Sequence, residues 1–544
     1  MSYSIKTVTG SGTGLETSSR FWKNHLSAGL SSSKLEDSGI PLDVKDGKVA
    51  FSGPEAHCMI CGVSGRGKTR RELYPSVIMS ARAGRSLVIA DMKGEIYRNT
   101  ASEVRRCGHD IKVINLRKPS VSDRFSPLAL VQRYWKDGYI NRAILLLKDV
   151  CTLITVKIHS DRDRFWEFAA QDAIMGFALL LLERKYPLTF DNIHSLLNQY
   201  YQDKASRVDI IRALDVEAES YRRLSTIINL DSDTTLSCIV SEVNSALTCY
   251  VDQEDVRNLL SDSDIELTDI GRKPTAVYLI CPDESTALYG IASLFVEQCY
   301  SELVNFADNS RENRLPVKVD FLLDEFGSFV GSDWPSKLTA ARSRGIRFII
   351  AIQSLSQLSS RYGDNGARTI MANCRTLVYM GGRDIRLMNE ISALSGFKED
   401  ERTGLEKPVL SITDLSRLNT GEIVVLDDFG LPYIGHLPDW EAWGITDRTH
   451  YDKSLQIPKP VRFVSLRDIL DIVDSTEPEQ DTPESCSEGP DILEDVMKND
   501  MTLEELILKL DSDPELNERL QERLNDNRRQ AERTVNIDDD ELPF

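Results

Sequence analysis

Short apolar runs of strand length occur in two parts of the chain, separated by polar segments that can form helices. They span residues 58–62, 86–91, 111–116, 276–281, 320–323, 348–352, 376–380 and 422–429. Continuous apolar runs of this length, alternating with helical segments, are typical of parallel strands that are buried on both faces. The pattern predicts an α/β fold with a parallel-rich sheet.

The region between these two parts has a different periodicity. Between about residues 129 and 273 the apolar positions follow a helical spacing, and strand-like runs are almost absent. Examples of this spacing are Ile140, Ile144, Leu147 and Val150. We therefore predict an all-helical domain at 129–273, inserted between the first part of an α/β domain at 51–128 and its second part at 274–450.

The beginning of the chain is polar and has no apolar leader. Residues 1–50 are rich in Gly and Ser, which predicts a lead-in segment with Phe21 and Trp22 as its anchors. We expect no signal peptide, since no charged start is followed by an apolar stretch. The apolar runs also stay below the roughly 18 residues of a membrane span. These features predict a cytoplasmic protein.

The net charge of −20 is concentrated at the end of the chain. Residues 475–544 contain 22 acidic and 7 basic residues, so a net −15 belongs to this segment and the remainder is nearly balanced. We predict that residues 451–544 form an acidic tail with two short amphipathic helices on either side of Pro514. The acidity therefore does not exclude DNA from the rest of the chain.

The segment from Asp538 to Phe544 reads DDDELPF. It resembles the C-terminal tip of bacterial single-stranded-DNA-binding proteins. In such a tip the aromatic ring can fill an apolar hole while the carboxylates meet basic groups. Three interpretations stay open: the tip recruits a partner that recognises such tips, it lies in the protein's own DNA channel and inhibits it, or it only adds solubility.

A glycine-rich segment follows the first apolar run. Residues 62–69 read GVSGRGKT and fit the pattern GxxxxGK[ST], and the helical stretch after them should bend or restart at Pro75. Glycines let the backbone N–H groups face phosphate oxygens, a lysine reaches the β and γ phosphates, and a hydroxyl ligates Mg²⁺. This pattern predicts a site for ATP and Mg²⁺ formed by Gly62, Ser64, Gly65, Arg66, Gly67, Lys68 and Thr69.

Two later strands supply the other groups of a nucleotide hydrolase. The run VKVDFLLDE ends in Asp324 and Glu325. We predict that Asp324 holds Mg²⁺ through water and that Glu325 activates the attacking water. The alternative is a strand followed by an acidic helix cap. Gln353 follows the next strand, where its amide can sense the γ-phosphate or orient water.

Two arginines precede the strand that ends before Gln353. In a ring of subunits, Arg342 or Arg344 can reach a neighbour's γ-phosphate as an arginine finger. The alternative is a solvated helix end.

Other reactive or bulky residues have structural interpretations. Cys58 and Cys61 form a CxxC pair, but no second pair or nearby histidine completes a metal site, so we predict buried thiols. Phe165 and Trp166 lie in the predicted helical domain, where core packing is favoured over a contact role.

Seven blocks in order resemble the coupling-protein ATPases of type IV secretion and conjugation. These form the TraG family within the FtsK and HerA-like branch of RecA-type motors. Besides the glycine-rich segment, the blocks are DMKGEIY at 91–97 with NTA at 99–101, RFSPL at 124–128, DRFW at 163–166 with Ala169 and Ala170, LDEFG at 323–327, QS at 353–354 with QL at 357–358, and YG at 362–363. The resemblance covers roughly residues 50–450.

The resemblance implies a RecA-like P-loop domain and a role for each site residue. It assigns Lys68 and Thr69 to phosphate and Mg²⁺, Asp324 and Glu325 to metal and water, Gln353 to sensing, and Arg342, three residues before Gly345, to the finger. Two departures from the family pattern are Met92 in place of the usual Pro and the missing pair of N-terminal membrane helices. The second departure predicts peripheral attachment at the inner face of the cell membrane through a separate membrane protein.

The resemblance implies a DNA-stimulated ATPase that acts as a homo-hexameric coupling protein. Such a protein recruits relaxase-linked DNA or a protein substrate, gripping single-stranded DNA without sequence preference, and feeds it to a type IV secretion channel. Two alternatives stay open: a nucleotide-gated cargo receptor or adaptor without motor activity, and a DNA translocase in chromosome handling or phage defence, which would lack the helical insert. The presence of Lys68, Asp324, Glu325 and Gln353 together favours the motor.

Overall fold

The computed structural model describes residues 14–445 and 463–469, apart from 156–163, 205–206, 209, 211–213, 231, 283–287, 330, 332, 401–402 and 429. Most of the predicted acidic tail lies outside the described residues. This includes its two amphipathic segments and the tip from Asp538 to Phe544.

The strands of the described residues form three sheets. In chain order they are β1 (Leu26–Gly29), β2 (Pro41–Lys45), β3 (Lys48–Phe51), β4 (Cys58–Cys61), β5 (Ser86–Asp91), β6 (Asp110–Asn115), β7 (Thr275–Ile280), β8 (Val319–Leu323), β9 (Ile346–Ile352), β10 (Thr376–Tyr379), β11 (Phe397–Glu399), β12 (Glu406–Pro408), β13 (Glu422–Leu426) and β14 (Tyr433–His436). The largest sheet among them has nine strands in the order β14-β13-β10-β4-β9-β8-β5-β7-β6.

The large sheet is parallel from β10 to β6 and antiparallel at its other end. Every neighbouring pair between β10 and β6 is parallel, whereas β13 and β14 join antiparallel. The carboxyl ends of β4, β9, β8 and β5 therefore lie side by side at one edge, where ligands bind in open α/β sheets.

The predicted α/β fold with a parallel-rich sheet is confirmed. Each of the eight predicted apolar runs contains a strand, and most bounds differ by one or two residues. All residues of β4, β5, β8 and β9 are buried. Burial on both faces explains why these strands are continuous apolar runs.

Helices cover the sheet and fill the region between β6 and β7. They span Ser18–Asn24, Tyr74–Arg82, Glu95–Arg106, Pro127–Lys136, Ile140–Thr155, Arg164–Glu183, Phe190–Gln202, Glu219–Ile228, Asp233–Val251, Glu254–Leu260, Asp269–Arg272, Tyr289–Asp308, Trp334–Ala341, Leu355–Asn373, Ile385–Leu394, Ile412–Ser416 and Leu466–Ile469. The described residues from Pro127 to Arg272 contain helices and no strand, in agreement with the helical periodicity of this region. Its boundaries as a separate domain stay a prediction, because one apolar cluster joins Leu147 and Phe177 of the insert to Val88 and Leu279 of the sheet.

The helix Arg164–Glu183 corrects two predictions. Its segment Phe165–Glu183 is long and apolar enough to cross a membrane, with a mean hydropathy of 1.4, contrary to the expected absence of such a run. Two thirds of that segment is buried inside the protein, and Gly176 allows close approach of Leu224 from a neighbouring helix. Trp166 packs on the core as predicted. The predicted burial of Phe165 is wrong, because this side chain shares an exposed helix face with Phe168.

The predicted lead-in is folded from residue 18 onward. A short helix is followed by a three-stranded antiparallel sheet in the order β1-β3-β2. Phe21 is buried and stacks on Tyr433 with ring centroids 3.7 Å apart, and Nε1 of Trp22 donates a hydrogen bond to Asp43 over 2.9 Å. Phe21 therefore anchors this segment to β14 at the end of the large sheet, whereas Trp22 ties the short helix to β2. The strands β1, β2 and β3 escaped prediction because polar and small residues interrupt or shorten their apolar runs.

Candidate functional site

The loop after β4 is curled by two glycines. Gly65 and Gly67 have φ of +83° and +86°, which side chains with a Cβ rarely adopt. Lys68 is buried, and its Nζ donates a hydrogen bond to the carbonyl oxygen of Gly62 over 2.6 Å. The loop therefore encircles an ammonium group at the amino end of the following helix, where anions are favoured.

The helix after this loop begins irregularly. Residues Lys68–Leu73 form a π-helical turn, and a regular helix starts at Tyr74 with Pro75 in its first turn. The predicted restart at Pro75 is confirmed, since proline lacks the N–H that a continuous helix would use.

Two carboxylates follow β8 at the same edge of the sheet. Asp324 is buried, and its Oδ1 accepts a hydrogen bond from the backbone N–H of Glu325 over 3.1 Å. Burial and the nearby charge of Glu325 raise the pKa of Asp324 to about 7, while the ammonium of Lys68 opposes the shift. A divalent cation beside Asp324 would favour its ionised form. Asp324 and the hydroxyl of Thr69 line the same cleft and are suitable oxygen ligands for Mg²⁺.

Gln353 follows β9 and links this strand to the acidic pair formed by Asp324 and Glu325. Strand β9 lies between β4 and β8. The side-chain Nε2 of Gln353 donates a hydrogen bond to Oε1 of Glu325, and its backbone N–H donates to Oε1 of Gln357 over 3.2 Å. The amide of Gln353 therefore orients the carboxylate of Glu325.

A cleft of about 510 Å³ unites most of the predicted site residues. Its walls include Ser64, Gly65, Gly67, Lys68, Thr69, Asp324, Glu325 and Gln353. Gly62 and Arg66 are not part of its lining, and the guanidinium of Arg66 is turned to the carbonyl oxygen of Leu418 at 3.0 Å. The cleft combines a phosphate cradle, oxygen ligands for a cation and an oriented carboxylate, which are the parts of a nucleotide-hydrolysing site.

Asp91 and Arg70 also line the cleft, although sequence reasoning assigned them no role. Asp91 is buried, and burial raises its pKa to about 6 despite the backbone N–H of Tyr97 that donates to it over 2.8 Å. The position of Asp91 at the end of an apolar run is a signal that could have identified it. Arg70 follows Thr69 directly, and nothing in the local sequence shows where its side chain points.

The predicted finger residue lies far from this cleft within the same chain. Arg342 precedes the amino end of β9, and seven residues of strand, about 20 Å, separate it from Gln353. The side chain of Arg342 is exposed. Arg344 is engaged with Asp308, whose Oδ1 lies 2.7 Å from its Nε. Neither arginine can therefore reach the cleft of its own chain.

Cys58 and Cys61 are fully buried in β4. Burial raises the pKa of Cys58 to about 11 and that of Cys61 to about 12. These thiols therefore stay protonated and pack as apolar groups.

Comparison with known families matches most of the described chain. The family model for type IV secretory system conjugative DNA transfer proteins matches residues 16–401. The protein VirD4 of Agrobacterium fabrum is 24% identical over 359 residues, which are 64% of this chain and 51% of the relative. The type IV secretion system-coupling protein VirD4 of Bartonella quintana is 23% identical over 271 residues, 43% of this chain and 41% of the relative. The chain thus spans about half the length of the Agrobacterium relative.

Solved structures share the fold at low sequence identity. The plasmid coupling protein TrwB in complex with the ATP analogue ADPNP superposes with a TM-score of 0.60 and 15% identity, covering 81% of this chain and 96% of that one. The complex of TrwB with ADP and Mg²⁺ gives a TM-score of 0.55 and 16% identity, covering 81% of this chain and 94% of that one.

Proposed function

The chain belongs to the type IV secretory system conjugative DNA transfer family, and from this premise we propose that it is an ATP-driven coupling protein. It recruits relaxase-linked DNA or a protein substrate and feeds it to a type IV secretion channel. The proposal rests on one observation: a single cleft is lined by Lys68, Thr69, Asp324, Glu325 and Gln353. A receptor that only bound cargo would have no use for an oriented water-activating carboxylate.

The proposed catalytic residues of the cleft have distinct tasks in ATP hydrolysis. Lys68 and the backbone N–H groups around Gly65 and Gly67 hold the β and γ phosphates. Thr69 and Asp324 would hold Mg²⁺, which when bound would offset phosphate charge. Glu325 accepts a proton from the attacking water. The side-chain amide of Gln353 donates a hydrogen bond to the carboxylate of Glu325 and keeps it in place beside the γ-phosphate.

Assembly into a homo-hexameric ring completes the site in this proposal. Head-to-tail contacts between copies generate closed rings, and they bring one surface of a subunit to a different surface of its neighbour. Arg342 is exposed at the edge of the sheet opposite its own cleft. The exposed side chain supports Arg342 as the finger, because Arg344 is engaged with Asp308.

The proposed partners are single-stranded DNA, a membrane protein and a protein that recognises the acidic segment at 538–544. The ring grips single-stranded DNA without sequence preference through Lys and Arg side chains that line its channel. The protein acts in the cytoplasm at the inner face of the cell membrane, held there by a separate membrane protein. The segment from Asp538 to Phe544 recruits a partner that recognises acidic tips ending in Pro-Phe, with autoinhibition and solubility as the alternatives.

A hydrolysis assay with and without single-stranded DNA tests the function. Wild type should hydrolyse ATP faster when DNA is present, and Lys68→Ala should lose this activity because its phosphate contact is gone. If wild type shows no stimulated hydrolysis but still binds a relaxase–DNA substrate, the protein is a nucleotide-gated adaptor. Stimulated hydrolysis without binding of any secretion substrate would instead indicate a general DNA translocase.

A further inference from the structure

The loop after β4 has different neighbours on its two sides in the large sheet. Asp324, Glu325 and Gln353 follow β8 and β9, which lie on one side of β4 in the sheet. β10, β13 and β14 lie on the other side. The γ-phosphate must face the acidic pair for hydrolysis, so the nucleoside end of the ligand points away from it, toward the side of β13 and β14.

Arg70 extends to that side while it lines the cleft. Its Nε lies 2.8 Å from Oδ1 of Asp439, and its Nη2 lies 2.5 Å from Oε1 of Glu441. Both carboxylates belong to the segment that follows β14. Because the guanidinium donors lie in the plane of the group, these bonds occupy its edge and leave its faces for stacking. The side chain is 45% exposed.

The acidic segment that holds Arg70 is itself anchored. Asp439 caps the turn Trp440–Trp443 by accepting the backbone N–H of Trp440 over 2.7 Å. The buried Trp440 meets Tyr74 edge to face, with ring centroids 5.3 Å apart. Arg71 also donates to Asp439 over 3.2 Å, but it does not line the cleft. The guanidinium of Arg70 is therefore held in one orientation by a fixed part of the fold.

We infer that Arg70, positioned by Asp439 and Glu441, is the platform on which the purine base of the nucleotide stacks. A planar, delocalised cation binds the face of an aromatic ring through dispersion and cation–π attraction. The inference rests on the proposed function and adds a nucleobase subsite to it. The inference gives different roles to two neighbouring arginines that both bond to Asp439. Arg70 contacts the ligand, whereas Arg71 only supports the loop, with its aliphatic stem packed against Gly67.

Binding of two ligands that differ in the base tests this subsite. The dissociation constants of ATP and of inorganic tripolyphosphate, each with Mg²⁺, are measured by calorimetry for wild type, Arg70→Ala and Arg71→Ala. Arg70→Ala should weaken ATP binding about tenfold, the usual loss of one stacking contact, and leave tripolyphosphate binding unchanged. Arg71→Ala, the matched control, should change both affinities by the same factor.

Three results would overturn the inference. If Arg70→Ala weakens both ligands equally, Arg70 acts on the phosphates or on the loop. If ATP affinity is unchanged in Arg70→Ala, the base lies elsewhere. If Arg70→Lys restores full ATP affinity, charge rather than a planar surface is what matters. If the wild-type protein binds neither ATP nor tripolyphosphate, the proposed function itself is contradicted. This outcome differs from the three results above.

Discussion

The side-chain amide of Gln353 donates a hydrogen bond from Nε2 to Oε1 of Glu325. The two residues follow the adjacent parallel strands β9 and β8. Glu325 has a left-handed backbone, with φ of 54° and ψ of 47°, which costs an L-residue roughly 1–2 kcal/mol. The bond to Gln353 and the burial of Asp324 help to hold this conformation. The carboxylate is thus oriented before any substrate arrives.

Replacement of the oriented carboxylate should stop hydrolysis and spare binding. Glu325→Gln should lower kcat for ATP by roughly 10²- to 10⁴-fold, the usual contribution of a general base. Its dissociation constant for ATP should stay close to that of wild type. The control is Glu95→Gln, because Glu95 lines the same cleft without contacting Gln353. Hydrolysis by Glu325→Gln at the wild-type rate would show that another group activates the water.

Loss of the orienting amide should affect kcat more than KM. Gln353→Ala removes the donor to Glu325, and a hydrogen bond to a charged group contributes about 1.5–3 kcal/mol. We expect kcat to fall by about 10- to 100-fold with KM nearly unchanged, as measured by steady-state kinetics. A higher KM with normal kcat would instead mean that Gln353 binds ground-state nucleotide.

Mixed subunits should reveal an arginine finger that acts between chains. Arg342→Ala and Lys68→Ala should each be inactive alone, because one lacks the finger and the other lacks the phosphate contact. An equal mixture should recover about a quarter of the wild-type rate if subunits associate at random in a ring. Arg344→Ala serves as the control and should stay active alone, since Arg344 pairs with Asp308. No recovery in the mixture would contradict the proposed role of Arg342.

A buried ion cluster should make stability sensitive to acid. The carboxylate of Asp320 lies between the guanidinium groups of Arg85 and Arg347, all of them buried. Although burial raises its pKa, the two arginines lower it to about 2. This stabilisation is complete above pH 3.8, the value for an ordinary Asp, and is lost as pH falls toward 2.

Urea unfolding at several pH values checks this cluster. At pH 7, Asp320→Asn should lose about 3–5 kcal/mol, because it removes the carboxylate that two buried cations share, although Arg85 keeps its ion pair with Asp37. It should also lose less stability than wild type between pH 4 and pH 2. Asp233→Asn, which alters an exposed ion pair with Lys204, should unfold like wild type. Equal acid sensitivity of Asp320→Asn and wild type would contradict the assignment.

Removal of a buried carboxyl group should stabilise the protein. Glu72 is fully buried, and neither of its carboxyl oxygens has a hydrogen-bond partner among the described residues. Burial raises its pKa well above 4.5, so the protein loses stability as pH rises from 4.5 toward the folded-state pKa, because the unfolded chain ionises there and the folded chain does not. Glu72→Met should gain about 1–3 kcal/mol at pH 7 and less at pH 4. Thermal unfolding at both pH values measures the gain, and exposed Glu217→Met should show none.

Local sequence was sufficient for most of the proposed catalytic groups because each lies directly after an apolar run. The glycines before Lys68 encode the curled loop by themselves, and Asp324, Glu325 and Gln353 mark the ends of strands. In a parallel sheet such ends meet at one edge. Their convergence therefore needed only the prediction that the strands are parallel and adjacent.

Contacts between distant parts of the chain could not be predicted in this way. Arg70 and Asp439 are 369 positions apart and meet only because β13 and β14 join the sheet beyond β10. Phe165 has an apolar aromatic side chain typical of core residues, yet the packing of its helix leaves it exposed.

The sequence by itself determined the α/β fold, the helical region between β6 and β7, the curled glycine loop and the acidic residues after β8, because backbone conformation and periodicity depend on neighbouring residues. Only the tertiary structure decided that Gln353 holds Glu325, that Arg342 lies beyond reach of its own cleft, and that Arg70 lines the cleft while it is paired with Asp439 and Glu441. Those relationships depend on strand order and helix packing. An apolar pattern does not encode either, since it specifies which residues are buried and not which neighbours they meet.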